Sequence, residues 1–210
     1  MNRIFAMAYR LFARFIFAFW ADARRGAKGS KLPVLGPVHF KTRVNVWYHA
    51  ASAGELESLS PLIQEAVLKG EKLAVSIFSK SAVKPLERLK AELARAKPDA
   101  VLIVGFSPPE GKWRATLKAA GPRAWITAKY EAWPDAWAAC FELGIRIAVV
   151  GAMPRLAFKI AAALSRLMVG ETPFVCVIPI LEKDAKEFRA TPWCTRVEIV
   201  ADPRWDRVRA

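Results

Sequence analysis

The sequence predicts an α/β fold, a doubly wound parallel sheet with helices on both faces. Three observations predict it. Short apolar runs recur from residue 44 to residue 200, amphipathic stretches of helical length separate most of them, and 54% of the 210 residues are hydrophobic, enough for a substantial core. Strands that alternate with helices pair in parallel through right-handed crossovers. No internal repeat or low-complexity tract interrupts the pattern.

The chain opens on MNRIFAMAYRLFARFIFAFWADARRGAKGS, which is apolar but interrupted by Arg10 and Arg14 and lacks a small-residue cleavage site. It falls short of the uninterrupted stretch of about 20 apolar residues that a membrane span needs. On a helix Arg3, Arg10 and Arg14 lie within roughly 40° of one another, with Phe, Ile, Leu and Trp around the rest of the cylinder. Residues 1–25 are therefore expected to lie in a membrane interface, arginines towards lipid phosphates, beside the basic run Arg24, Arg25, Lys28 and Lys31. The competing arrangement packs this helix on the domain's own core and leaves the arginines solvated. On the interfacial reading, removing residues 1–25 leaves a folded domain. Residues 26–43, rich in Gly, Pro and Lys, form a connector, and residues 44–210 form the domain itself.

Within that domain VNVWYH (44–49), KLAVSIF (72–78), DAVLIV (99–104), RAWIT (123–127) and IRIAVV (145–150) read as buried strands, and FVCVI (174–178) and TRVEIV (195–200) resemble them. A doubly wound sheet orders its first five strands 3-2-1-4-5 and binds ligands between strands 1 and 4, outside their carboxyl ends. Glu55 follows the first strand and Glu131 the fourth, so the topology places two carboxylates from distant positions at that switch point. Ser52-Ala53-Gly54-Glu55 also fits the S/T-x-x-E capping box of a helix's first turn. Glu55 thus has two readings, a cap and a proton acceptor, which are compatible if Ser52 caps while Glu55 turns outward to the crevice. Partial desolvation there raises the carboxyl's pKa, and a helix N-terminus lowers it. The plain reading of Glu131 is an acid ahead of a helix opened by Pro134, and that of Trp133 is core packing.

The formal charge of +14 points to an anionic partner: nucleic acid, an acidic membrane surface or a phosphorylated ligand. No Gly-rich RNA motif, helix-turn-helix signature or aromatic-basic repeat accompanies it, so nucleic acid is not expected. Cys140, Cys176 and Cys194 are widely spaced, and His39 and His49 have no partner at metal-ligand spacing. Neither a metal centre nor a cofactor is expected, and both histidines read as structural or exposed.

S-A-G-E at 52–55, E-A-W-P at 131–134, Gly151-Ala152 and A-D-P-R-W-D at 201–206 are similar, in order and spacing, to a family's S-V-G-E, T-E-L-W-P-N, N-A-R and G-N-L-K-F-D. That family is the 3-deoxy-D-manno-octulosonic acid (Kdo) transferases of lipopolysaccharide assembly. The resemblance covers nearly the whole chain but only the family's first half, and the basic apolar leader matches as well. It implies the Rossmann-like, acceptor-side half of a GT-B glycosyltransferase, working at the cytoplasmic face of the inner membrane on a lipid A precursor, with CMP-Kdo as donor. It makes Glu55 resemble the general base, with Ser52, Gly54, Glu131, Lys80 and Arg204 lining the acceptor site and Lys84 and Arg155 offering further cations. Departures are plain: Lys80 replaces a small polar residue, the N-A-R arginine is absent at Met153, and the last motif keeps a cation at Arg204 but loses its glycine and asparagine. With Ala210 standing where the family's donor-binding domain would begin, the chain is expected to be either a fragment or one half of a split enzyme whose donor-binding half is separately encoded. The alternative is a catalytically silent relative that binds an anionic glycolipid.

Overall fold

The computed structural model describes residues 4–13, 35–129, 131, 133–170, 175–192 and 194–200. Among these residues one parallel sheet is formed in the order β3-β2-β1-β4-β5-β6-β7: β1 (Val46–Ala50), β2 (Leu73–Ile77), β3 (Leu102–Phe106), β4 (Ala124–Ala128), β5 (Arg146–Val150), β6 (Val175–Ile178) and β7 (Arg196–Val197). The order of the first five strands is the expected one, and β6 and β7 continue the sheet beyond β5.

Two strands depart furthest from their apolar runs. β3 begins at Leu102 rather than residue 99, because the Ala100 amide turns back to the Lys97 carbonyl at 3.1 Å. It runs on to Phe106, whose amide donates to Gly36 O at 2.9 Å and whose carbonyl accepts from the Val38 amide at 3.0 Å. The end of the predicted connector thus covers the β3 edge. A Cβ at Gly105 would stand 2.7 Å from Val38 N, so only glycine admits this close approach. β7, at the other edge, keeps only Arg196–Val197 of its run.

Helices α2 (Ala53–Leu68) and α3 (Val83–Ala96) cover one face, and α4 (Trp113–Ala120), α5 (Pro134–Glu142), α6 (Leu156–Val169) and α7 (Glu182–Arg189) cover the other. The two-residue period of β1 divides the core accordingly. Val46, Tyr48 and Ala50 pack with Leu56, Ile63 and Leu86, whereas Trp47 packs with Trp113, Trp125 and Trp137. Rings of Trp47 and Trp113 lie 5.5 Å apart and those of Trp113 and Trp125 5.7 Å apart, contacts each worth about 0.5–1.5 kcal/mol beyond burial. His49 is buried among these indoles with Nδ1 2.9 Å from Ser76 Oγ, and desolvation pushes its pKa down to about 3. It is a neutral core residue, and His39 is exposed.

Residues 4–13 are helical and are labelled α1. Ala6 is buried against Ala138, Met168 and Val169, which docks α1 on α5 and the end of α6. Arg10 does not face outward as the helical wheel suggests. Its Nε lies 2.6 Å from Asp135 Oδ1 and its Nη2 3.1 Å from Glu142 Oε1, with Asp135 fully buried. The outer surface of α1 instead shows Ile4, Met7, Leu11 and Phe12. Arg3, Arg14, Arg24, Arg25, Lys28 and Lys31 lie outside the described residues. No helix among the described residues is long and apolar enough to cross a membrane.

The inward turn of Arg10 bears on the expectation that residues 1–25 can be removed, because it ties α1 to a buried acid of the domain. Asp135 also faces buried Glu110, whose Oε2 takes the Asp135 amide at 3.1 Å and whose pKa burial and then the Asp135 charge push well up. Without Arg10 the Asp135 carboxylate would be left buried beside another acid, a loss of about 3–5 kcal/mol for a broken buried pair. Arg10→Ala is expected to lower stability by that order in urea unfolding. A loss within the range of an exposed pair, below about 1 kcal/mol, would show that solvent reaches Asp135.

Candidate active site

Strand order reverses between β1 and β4, which run parallel with Val46 opposite Ala124 and Tyr48 opposite Ile126. The loops after β1, β2, β4 and β5 therefore open at the same end of the sheet. Ser52, extended at φ −139° and ψ 168°, is the N-cap of α2, and the reciprocal capping box with Glu55 is formed. Glu55 Oε2 accepts from the amides of Ala51 at 2.7 Å and Ser52 at 2.9 Å. The side chain is turned inward rather than outward to the crevice, at 2% exposure, because an outward rotamer would abandon those two amides. Burial raises the Glu55 pKa, opposed by the two amides, the Lys129 ammonium and the Ser52 side chain.

Lys80 opens the 3₁₀ turn Lys80–Ala82 that follows β2, with Ser79 as its cap: Ser79 Oγ accepts from the Ser81 amide at 3.3 Å. Ser81 Oγ accepts in turn from the Ala53 amide at 3.4 Å. This second bond draws the turn carrying Lys80 against the first turn of α2, where Gly54 lies. Lys84 is exposed in α3, and Arg155 is the N-cap of α6.

Glu131 follows β4, and its Oε2 accepts the Trp133 indole N–H at 2.9 Å. Trp133 is buried against Phe78 at 5.1 Å and His49 at 5.2 Å, so it is a core side chain that holds Glu131 rather than an open platform for a sugar. Pro134 opens α5, and the acid in its first turn is Asp135, not Glu131. Ala132, Arg204 and the rest of A-D-P-R-W-D lie outside the described residues.

Lys129 was not singled out by the sequence. It directly follows β4 in the left-handed region at φ 62°, the one described non-glycine residue there, a conformation that costs an L-residue about 1–2 kcal/mol. Both of its backbone groups are held: its amide donates to Val150 O at 2.7 Å, and its carbonyl accepts from the Met153 amide at 3.1 Å. Gly151-Ala152 thus serves the site as a brace, with the Ala152 amide bound to Ile178 O at 3.1 Å. A Cβ on Gly54 would stand 3.4 Å from Lys129 Nζ, so the ammonium reaches the first turn of α2. Only its place directly after the fourth strand marked it in the sequence.

Chemically, the switch point offers a desolvated carboxylate beside a cation, a pairing suited to accepting a proton next to a negatively charged substrate group. Among the described residues no group of His, Cys, Asp and Glu is placed to hold a metal ion. Because the folded state holds the Glu55 proton more tightly than the unfolded chain, this carboxyl's contribution to stability falls as pH rises from its ordinary value of 4.5 towards the raised one. Glu55→Gln, which still suits the capping box, removes that slope. Relative to wild type its urea midpoint is expected to rise between about pH 4 and pH 7, and a constant difference would show that Glu55 titrates normally.

A family model described as 3-deoxy-D-manno-octulosonic-acid transferase (kdotransferase) matches residues 10–207. No curated protein and no solved structure matches the chain.

Proposed function

The chain belongs to the Kdo transferase family and is a glycosyltransferase domain of lipopolysaccharide biosynthesis; from that premise we propose that it is the acceptor-side half of a GT-B enzyme. The half would move Kdo from CMP-Kdo to a phosphorylated lipid A precursor, at the cytoplasmic face of the inner membrane. The observation that carries this reading is the position of Glu55, desolvated at the β1–β4 switch point in the first turn of α2. A sugar hydroxyl is a poor nucleophile until a base accepts its proton in the transition state, a contribution of about 10²- to 10⁴-fold. With Oε2 held by the Ala51 and Ser52 amides, the proton passes to Oε1 as the acceptor oxygen attacks the anomeric carbon and CMP departs from the opposite face. Ser52 fixes the rotamer of the base, Gly54 keeps the approach clear, and Lys80, Glu131 and Arg204 are assigned to the acceptor. A donor-binding half would orient CMP-Kdo, since orientation accounts for roughly 7–11 kcal/mol of such barriers.

Membrane contact is part of the same reading. α1 presents Ile4, Met7, Leu11 and Phe12 outward, and α6, on whose end α1 packs, exposes Leu156, Ile160 and Leu167 at helical spacing. A surface of that kind, on a chain of charge +14, suits an anionic bilayer. Met7→Gln with Leu11→Gln is expected to reduce co-flotation with anionic vesicles while leaving the unfolding midpoint in place. Flotation equal to wild type would remove α1 from the contact.

The burial of Glu55 also favours a specific second reading, a relative that binds an anionic glycolipid without transferring sugar. Glu55→Gln separates the two in an assembly with a donor-binding half. If Glu55 is the base, transfer falls by about 10²-fold or more with acceptor binding retained, because an amide does not accept the proton at neutral pH. Transfer close to wild type would return Glu55 to the role of helix cap, and an inactive wild-type assembly that still binds the glycolipid would favour the silent relative.

A further inference from the structure

Lys129 holds a conformation that glycine adopts freely and lysine does not, at the end of the strand facing Glu55. Its backbone is fixed on both sides by Val150 O and the Met153 amide, so the strain is built into the frame of the site. Strain of this kind collects where a side chain must be aimed. The aim here is specific: Nζ reaches the first turn of α2, 3.4 Å from where a Cβ on Gly54 would stand. Among the described residues no carboxylate lies within ion-pair distance of this ammonium, and Oε2 of nearby Glu55 is already held by two amides. The cation therefore stands beside the base with its hydrogen-bonding capacity left for something else. Resting on the reading of Glu55 as the group that deprotonates the acceptor, we propose that Lys129 is a specificity-determining residue that receives an anionic substituent, phosphate or carboxylate, carried by the acceptor close to its reacting hydroxyl.

Three detergent-dispersed probes test this by tryptophan fluorescence titration at moderate salt: a bisphosphorylated acylated glucosamine disaccharide, the same lipid after phosphatase treatment, and the phosphatase-treated lipid bearing one Kdo carboxylate. Lys129→Met is expected to weaken binding of the phosphorylated lipid about tenfold or more, the scale of one charge-assisted hydrogen bond, and to leave the neutral lipid unchanged. Lys129→Arg should stay near wild type. A matching loss on the Kdo-bearing lipid alone would assign the carboxylate rather than the phosphate. Lys129→Gly, which relieves the backbone, should unfold at the same or a higher midpoint yet bind as poorly as Lys129→Met. A lower midpoint with unchanged binding would make Lys129 a structural residue and overturn the proposal, as would a Lys129→Met variant that keeps the wild-type preference for charged lipid. If wild type binds none of the three lipids, the acceptor-site reading itself falls and the assignment of Lys129 falls with it.

Discussion

Because β1 pairs in parallel with β4 rather than only with its sequence neighbour β2, the sheet must grow in opposite directions from that seam. The helices after β1 and β2 then lie on one face, and those after β3 through β6 on the other. Sheets of this kind take their ligands outside the carboxyl ends of the strands at that seam. The first turn of α2 and the residue after β4 meet there, Lys129 Nζ lying 3.4 Å from where a Cβ on Gly54 would stand. Glu55 and Lys129, 74 positions apart in the chain (129 − 55), become neighbours through this pairing alone. Each chemical feature of the site follows from it: the carboxylate on the α2 side, the cation on the β4 side, and the brace from β5 that holds the cation's backbone.

The leader is joined to the same frame by electrostatics rather than by sequence proximity. Arg10 reaches across 125 positions to Asp135, in the first turn of α5. Asp135 stands two residues after Trp133, the side chain that holds Glu131, and its own carboxylate also accepts the Trp113 amide at 3.1 Å, opening α4. One buried carboxylate therefore ties together α1, α4 and α5. It also turns Arg10 inward, while Ile4, Met7, Leu11 and Phe12 face outward. That ion pair and the packing of Ala6 against Ala138, Met168 and Val169 dock residues 4–13 on the domain.

Much of the architecture was legible in the sequence because strand burial writes itself as short apolar runs, and the alternation of strands and helices fixes the sheet order with few choices left. Errors arose where hydrophobicity is not the deciding term. β3 shifted because a turn at Lys97 and edge pairing with Gly36 and Val38 set its ends. Arg10 was aimed the wrong way because a helical wheel assumes that charge seeks water, and it carries no knowledge of an acid far along the chain. Ser52, Gly54 and Glu55 were visible through the capping box, but the inward rotamer of Glu55 was not. Lys129 left no signal in periodicity or motif, since its importance lies in a backbone angle and a through-space contact.

The capping box and proton chemistry at Glu55 need not compete. Desolvation alone favours the protonated form of a carboxyl so deeply buried. Two amides on Oε2 and an ammonium nearby favour the ionised form and oppose that shift. The net displacement remains upward, the direction in which a carboxylate gains basicity for a sugar hydroxyl. The same amides fix the rotamer, so ionisation and aim come from one set of hydrogen bonds. A free surface glutamate would be poorly aimed, and a buried one without the cap would lack the two amides that favour its ionised form. The S-x-G-E turn supplies the two amides, and the Lys129 ammonium lies 3.4 Å from where a Cβ on its glycine would stand.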